Sequence, residues 1–114
     1  MNAVKLIVYS ASDLTKATKF FATALGTEPY AESQYYVGFK AGDMEVGLVP
    51  QAAHRVSGAL AYVDVSNINA ALESLLAAGA EKVQDVIDVA NGLLVASVKD
   101  PDGNPIGLRQ FPSS

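Results

Sequence analysis

The sequence predicts an α+β fold made of two tandem βαβββ units whose mixed sheets enclose a cleft. Alternating apolar residues mark short strands, an amphipathic helix follows the first strand of each half, and the two halves match at constant offsets. Of the 114 residues, 50% are apolar, which suffices for one compact core. We therefore predict a single domain, with unit one at residues 1–50, a linker at 51–58 and unit two at 59–114.

The first half begins with a strand over residues 4–9, where Val4, Leu6 and Val8 alternate with Lys5, Ile7 and Tyr9. Ser12 or Asp13 then caps a helix, and Gly26 stands where a left-handed C-terminal cap belongs. The helix is amphipathic. The residues assigned to its packing face are Leu14, Ala17, Phe20, Phe21 and Leu25.

A hairpin follows this helix. Tyr35–Lys40 and Met44–Val49 are its predicted strands, and the short loop at residues 41–43 contains the glycine that such turns favour. A weaker strand is expected near Tyr30. These strands complete the first βαβββ unit.

The second half repeats this order with a strand over Leu60–Val65 and a cap at Ser66 or Asn67. The helix ends at Gly79, and its apolar face is formed by Ile68, Ala71, Leu72, Leu75 and Leu76. Turn chemistry at residues 100–104 precedes the final strand. The remaining strands are predicted over Val83–Val89, Leu93–Val98 and Pro105–Phe111.

Composition excludes several classes of function. Eight basic and twelve acidic residues give a net charge of −4 without a basic patch, so nucleic-acid binding is not expected. The chain has no cysteine, which removes disulfides, thiolate metal sites and a cysteine nucleophile. No apolar run approaches the roughly 18 residues that span a bilayer. We expect a soluble, cytoplasmic protein that binds no membrane.

Three segments carry a resemblance to a known family. LIVYSASDLTKATKFFATALG, LAYVDVSNINAALESLLAAGAE and VASVKDPDGNPIGLRQ together resemble the vicinal oxygen chelate superfamily of glyoxalases, bleomycin-resistance proteins and dioxygenases. The similarity spans nearly the whole chain, and the DPDGN turn before the last strand is its most specific piece. The ending GNPIGLRQ resembles the subgroup of lactoylglutathione-lyase-related proteins.

The resemblance implies a metal site, but its positions hold no donors here. In metal-dependent members, the first and the last strand of each unit supply a His, Gln or Glu. Those positions correspond to Leu6, Gly47, Leu60 and Gly107. Neither leucine nor glycine has a side-chain donor for a divalent ion. We therefore predict neither a bound metal nor another cofactor.

Alternation along the strands places several polar residues on the same face as these four positions. The residues predicted to bind a ligand there are Tyr36, Glu45, Tyr62, Asp64 and Arg109. Arg109 is suited to clamp a carboxylate or phosphate, the tyrosines to stack or donate a hydrogen bond, and the carboxylates to act as bases. The alternative for Asp64 and Arg109 is that they pair with each other or lie at the solvated rim of the sheet.

Two further features have two interpretations each. His54, the only histidine, is either a solvated linker residue, which we favour, or a ligand contact. Glycines 38, 47 and 107 either leave room for a ligand or permit close approach between sheets, and the sequence does not decide between these.

The sequence is compatible with three functions. The first is metal-independent binding of a small, partly apolar molecule in the cleft. The second is a small enzyme, a lyase or isomerase, that uses cleft acid and base residues without metal. The third is a metal-dependent glyoxalase or dioxygenase, against which the leucines and glycines argue. We favour the first and expect a homodimer, because symmetric dimers are the commonest oligomers.

Overall fold

The computed structural model describes residues 1–51 and 58–113. The chain forms two compact units, residues 5–60 and residues 61–114 together with 1–4. The predicted α+β class and the βαβββ order are confirmed. The first unit contains β1 (Ala3–Ala11), α1 (Leu14–Leu25), β2 (Ala31–Glu32), β3 (Val37–Ala41) and β4 (Met44–Pro50). The second contains β5 (Ala59–Asp64), α2 (Ile68–Ala77), β6 (Glu81–Ala90), β7 (Leu93–Lys99) and β8 (Pro105–Gln110).

In the first unit the strands run in the order β2-β3-β4-β1. Strands β3 and β4 form the predicted antiparallel hairpin, and β1 runs parallel to β4. Helix α1 covers one face of this sheet. The buried residues of that face are Val37, Phe39, Val46 and Leu48, and the helix residues packed against them include Leu14, Ala17, Phe21, Ala22 and Leu25. Burial of this apolar stripe is what holds the helix on the sheet.

The second unit repeats the plan with the strand order β5-β8-β7-β6. Strand β5 runs parallel to β8, and the β8–β7 and β7–β6 pairs are antiparallel. Helix α2 covers one face. The buried core contains Ile68 and Leu72 from the helix and Ala96, Val98 and Leu108 from the sheet. In each unit, one face of the sheet packs against that unit's helix, and the other face points away from the helix.

The helix caps settle the alternatives left by the sequence. Asp13 caps α1, accepting a hydrogen bond from the Lys16 amide at 3.0 Å, and Asn67 caps α2 in the same way through Ala70 at 3.1 Å. Gly26 adopts a left-handed conformation with φ of 69°, as predicted. None of the helices within the described ranges is long and apolar enough to cross a membrane.

Two sequence predictions for the first unit were wrong. Tyr35 and Tyr36 precede β3, because the Ser33 hydroxyl accepts both of their amide hydrogens at 3.1 Å and holds them in a turn. Phe20 is not a packing residue: 66% of its surface is exposed, whereas Phe21 lies in the core. Successive helix positions are about 100° apart, so neighbouring side chains do not both face one sheet.

The linker predicted at residues 51–58 is described only at its two ends, and His54 lies outside the described residues.

Candidate functional site

The predicted site residues lie on the sheet faces that the helices leave uncovered. In the first unit, Leu6 pairs with Glu45 across β1 and β4, and Val8 pairs with Gly47. Neighbouring side chains in register point to the same face. Because Val46 and Leu48 point towards α1, Glu45 and Gly47 point away from it. Glu45 and Gly47 therefore lie on the same face as Leu6 and Val8, as strand alternation predicts.

A phenol and a carboxylate meet on this face of the first unit. The Tyr30 hydroxyl donates a hydrogen bond to Glu45 Oε1, with an O···O distance of 2.5 Å. Lys40 lies beside both: its Nζ is 3.8 Å from the same Glu45 oxygen and 4.8 Å from the centroid of the Tyr30 ring. We call Tyr30, Lys40 and Glu45 the phenol–carboxylate cluster.

Burial of its hydroxyl end, the hydrogen bond to Glu45 and the nearby Tyr36 phenol together raise the pKa of Tyr30 above its ordinary value of 10.0. The residue as a whole remains half exposed, although its hydroxyl meets the carboxylate. The raised pKa favours the protonated phenol, which donates the hydrogen bond to Glu45.

A tyrosine ring lies over each of the three strand glycines. A Cβ built on Gly47 would come within 2.5 Å of Tyr36, and one on Gly107 within 2.5 Å of Tyr62. One on Gly38 would come within 2.9 Å of Tyr30. The structure gives a further reason for glycine at these positions. The space above these glycines is filled by side chains of the same unit.

In the second unit, Asp64 and Arg109 pair with each other. They are opposite one another on β5 and β8, and Arg109 Nε lies 2.6 Å from Asp64 Oδ1 while its Nη2 lies 3.0 Å from Oδ2. Arg109 is only 5% exposed, and its guanidinium carbon lies 4.6 Å from the centroid of the Phe111 ring. A two-pronged bond of this kind fixes both side chains. The alternative in which these two residues pair is the one observed.

The structure thus brings the five predicted residues into two groups. Glu45 and Tyr36 both interact with Tyr30 in the first unit, and Tyr62 lies beside Gly107 next to the Asp64–Arg109 pair in the second. Their role in binding a ligand stays a prediction. Sequence reasoning missed Tyr30 and Lys40. The sequence feature that could have indicated a covering side chain was the pair of glycines, Gly38 and Gly47. A glycine on a sheet face leaves space that another side chain has to fill.

Comparison with known families agrees with this architecture. The profile of the family described as "Glyoxalase-like domain" matches residues 6–108. The chain belongs to this family. No curated protein matches the glyoxalase-like domain described here.

Solved structures share its fold. One is a glyoxalase/bleomycin resistance protein/dioxygenase superfamily member from Vibrio splendidus 12B01, with a TM-score of 0.72, 19% identity and coverage of 97% of this chain and 100% of that one. Methylmalonyl-CoA epimerase from Mycobacterium tuberculosis gives a TM-score of 0.73 at 16% identity, covering 96% and 88%. The Mn(II)-bound glyoxalase from Novosphingobium aromaticivorans gives 0.69 at 20% identity, covering 96% and 40%. At these identities the likeness shows the fold alone.

This glyoxalase-like domain does not fit the metal that its fold family implies. The corresponding positions are Leu6, Gly47, Leu60 and Gly107, which offer no donor atoms, and rings cover both glycines. Within residues 1–51 and 58–113, no three His, Asp or Glu side chains are grouped so as to hold an ion.

Proposed function

We propose that this glyoxalase-like domain binds a small, partly apolar molecule without a metal, on the sheet face of its first unit that points away from α1. The observation that carries the proposal is the set of phenols and the carboxylate that line this face, Tyr36 and Glu45 with Tyr30 between them in the hydrogen-bond network. A few convergent polar groups on an apolar surface are the usual composition of small-molecule sites.

Leu6 and Val8 of β1 are only 7% and 6% exposed, so they belong to the packed part of this face and not to the surface that a ligand can reach. The apolar surface that a ligand can reach is the Tyr30 ring, since half of that residue is exposed. A ligand with one polar end would place that end against Glu45 or the Tyr36 hydroxyl and its apolar body along this ring. The polar groups then set its orientation, while burial of apolar area supplies the affinity.

For the second unit, taken by itself, we propose that Tyr62 contacts a ligand on that unit's own sheet face and that the Asp64–Arg109 pair positions the surface beside it. Asp64 already binds the guanidinium at two points, so an anionic ligand would have to compete with it for Arg109. A buried arginine deprived of its carboxylate is strongly unfavourable. Arg109 is therefore proposed to meet the ligand only while it is still bound to Asp64.

The test is a thermal-shift screen of the metal-stripped chain against a small-molecule panel, with chelator present throughout. A ligand that binds the native state raises the melting temperature without any ion. Glu45→Gln and Tyr36→Phe, which remove one charge and one hydroxyl, should reduce that rise. Lys19→Gln changes an exposed residue of α1 and serves as the control, so it should leave the rise unchanged.

Two results would count against the proposal. Compounds that stabilise the chain only when a divalent ion is added would indicate a metal-dependent site. Compounds whose effect is the same in wild type, Glu45→Gln and Tyr36→Phe would bind elsewhere on the molecule.

We further propose that the chain is a cytoplasmic homodimer. Support comes from the prevalence of symmetric dimers among soluble oligomers, and the exposed residues Phe20, Tyr35 and Phe111 are apolar groups that an interface could cover. Light scattering on the purified chain measures the molar mass directly. A mass of one chain at all concentrations would refute the dimer.

A further inference from the structure

We infer that the proposed binding face takes an organic ammonium ion, which would occupy the place that the Lys40 ammonium holds beside the Tyr30 ring and Glu45. The inference rests on the proposed function, because it names the class of ligand for that same face. It depends on three side chains of one unit and on the distances between them.

The chain itself shows that this position suits a cation. Lys40 Nζ lies 4.8 Å from the Tyr30 ring centroid, within the range at which a ring face attracts positive charge. The same nitrogen lies 3.8 Å from Glu45 Oε1, so the ring and the carboxylate both act on one charge. The ammonium group of Lys40 thus occupies the position that we expect a ligand ammonium to occupy.

Lys40 is held loosely enough to be displaced. Its side chain is 65% exposed, whereas that of Glu45 is only 19% exposed. An exposed ion pair with a long, flexible side chain contributes little to stability. The better-shielded carboxylate and ring therefore remain in place when Lys40 moves into solvent, and a ligand ammonium takes over both contacts.

The chemistry of the cluster favours an organic ammonium over an anion or a metal ion. An anion would meet the Glu45 carboxylate at close range, and the nearest phenol hydroxyl already donates to that carboxylate. A divalent metal ion requires several oxygen or nitrogen donors, whereas a ring face serves a weakly hydrated organic cation. The net charge of −4 adds a general attraction for cations.

The experiment measures binding of benzyltrimethylammonium by NMR titration of the full chain, with benzyl alcohol as the neutral probe and benzoate as the anionic one. Four proteins are compared: wild type, Lys40→Gln, Lys19→Gln and Glu45→Gln. Lys40→Gln and Lys19→Gln change the net charge equally, but only the first removes the competing ammonium.

We expect benzyltrimethylammonium to shift the resonances of Tyr30 and its neighbours. Lys40→Gln should tighten its binding about 2- to 5-fold, the size of one exposed cation–ring contact. Lys19→Gln should change it much less, and Glu45→Gln should weaken it. Glutamine at position 45 keeps an oxygen that accepts the Tyr30 hydrogen bond, so the cluster should remain folded around it.

Equal tightening in Lys40→Gln and Lys19→Gln would reduce the effect to net charge and overturn the inference. Stronger binding of benzyl alcohol or benzoate at the cluster would also overturn it, while leaving the proposed small-molecule function standing. If no probe shifts the cluster, the ammonium inference is wrong. The proposed function then fails with it only if the thermal-shift panel also finds no compound sensitive to Glu45 and Tyr36.

Discussion

The contact between Tyr62 and Gly107 shows how a single glycine determines the surface of the second sheet. The two residues are opposite one another on parallel strands, and the ring lies so close to the glycine that any Cβ there would overlap it. Glycine in a strand is weak by itself, because it loses more conformational entropy than other residues and has no side chain to pack. The ring supplies the packing that the glycine lacks.

A double-mutant cycle tests this contact. In the wild-type background we expect Gly107→Ala to lower the free energy of unfolding by about 1–3 kcal/mol, because the new methyl group displaces the ring. In a Tyr62→Ala background the same change should raise it by ~0.5–1 kcal/mol, since alanine is then free of the clash and has the smaller entropy cost. Urea unfolding monitored by circular dichroism provides the four values.

The sign change is the decisive result of that cycle. If Gly107→Ala costs the same in both backgrounds, its effect has another origin and the ring is not what requires glycine at this position.

The composition of the candidate site was largely predictable, but its contacts were not. Strand alternation placed Glu45 and Arg109 on the uncovered faces, because the period of two leaves no other choice once the helix-facing residues are known. The Tyr30 hydrogen bond to Glu45 spans 15 residues. It depends on the conformation of the chain before the two-residue strand β2, for which the sequence carries no periodic signal.

At the scale of elements, the start of α2 depends on a side chain from the last strand. Asn67 caps one amide, as its residue type predicts, but the Ile68 amide is satisfied by Gln110 Oε1 at 2.7 Å. Ile68 is fully buried, so water does not readily replace this acceptor. The bond ties α2 to β8 across 42 residues of sequence.

Gln110→Met should therefore lower the free energy of unfolding by about 1–3 kcal/mol, the cost of leaving a buried amide without an acceptor. Gln110→Glu is the matched control. It keeps an acceptor oxygen and adds negative charge at a helix N-terminus, where such charge is favourable. Urea unfolding near neutral pH compares the two, and equal losses in both variants would show that packing of the side chain matters rather than its hydrogen bond.

The elements themselves followed from local pattern wherever the pattern was long. Both helices and the strands of both hairpins were predicted because apolar periodicity extends over five or more residues in each. The error at Tyr35 and Tyr36 has a local cause. Their aromatic character favours a strand, but one hydroxyl, that of Ser33, accepts both amides and delays the start of β3 to Val37.

At the scale of the whole molecule, a repeated architecture carries different chemistry in each half. The two units share strand order, helix position and capping, yet the first places a phenol and a carboxylate on its uncovered face and the second an arginine–aspartate pair. What they have in common at the family's metal positions is leucine and glycine. The fold is retained without the donors, which is possible because packing of the helices on the sheets does not involve those positions.

This loss of donors leads to a prediction for the whole chain. Any ion that binds only the native state stabilises it by RT ln(1 + [L]/Kd), about 2.7 kcal/mol at a concentration one hundred times Kd. We expect the metal-stripped chain to melt at the same temperature with and without Mn(II), Ni(II) or Zn(II), and calorimetric titration to show no stoichiometric heat. The Mn(II)-bound glyoxalase from Novosphingobium aromaticivorans is the positive control for the assay. A rise in melting temperature that saturates at one ion per chain would mean that this molecule assembles donors from residues other than Leu6, Gly47, Leu60 and Gly107, and the metal-independent function proposed above would have to be abandoned.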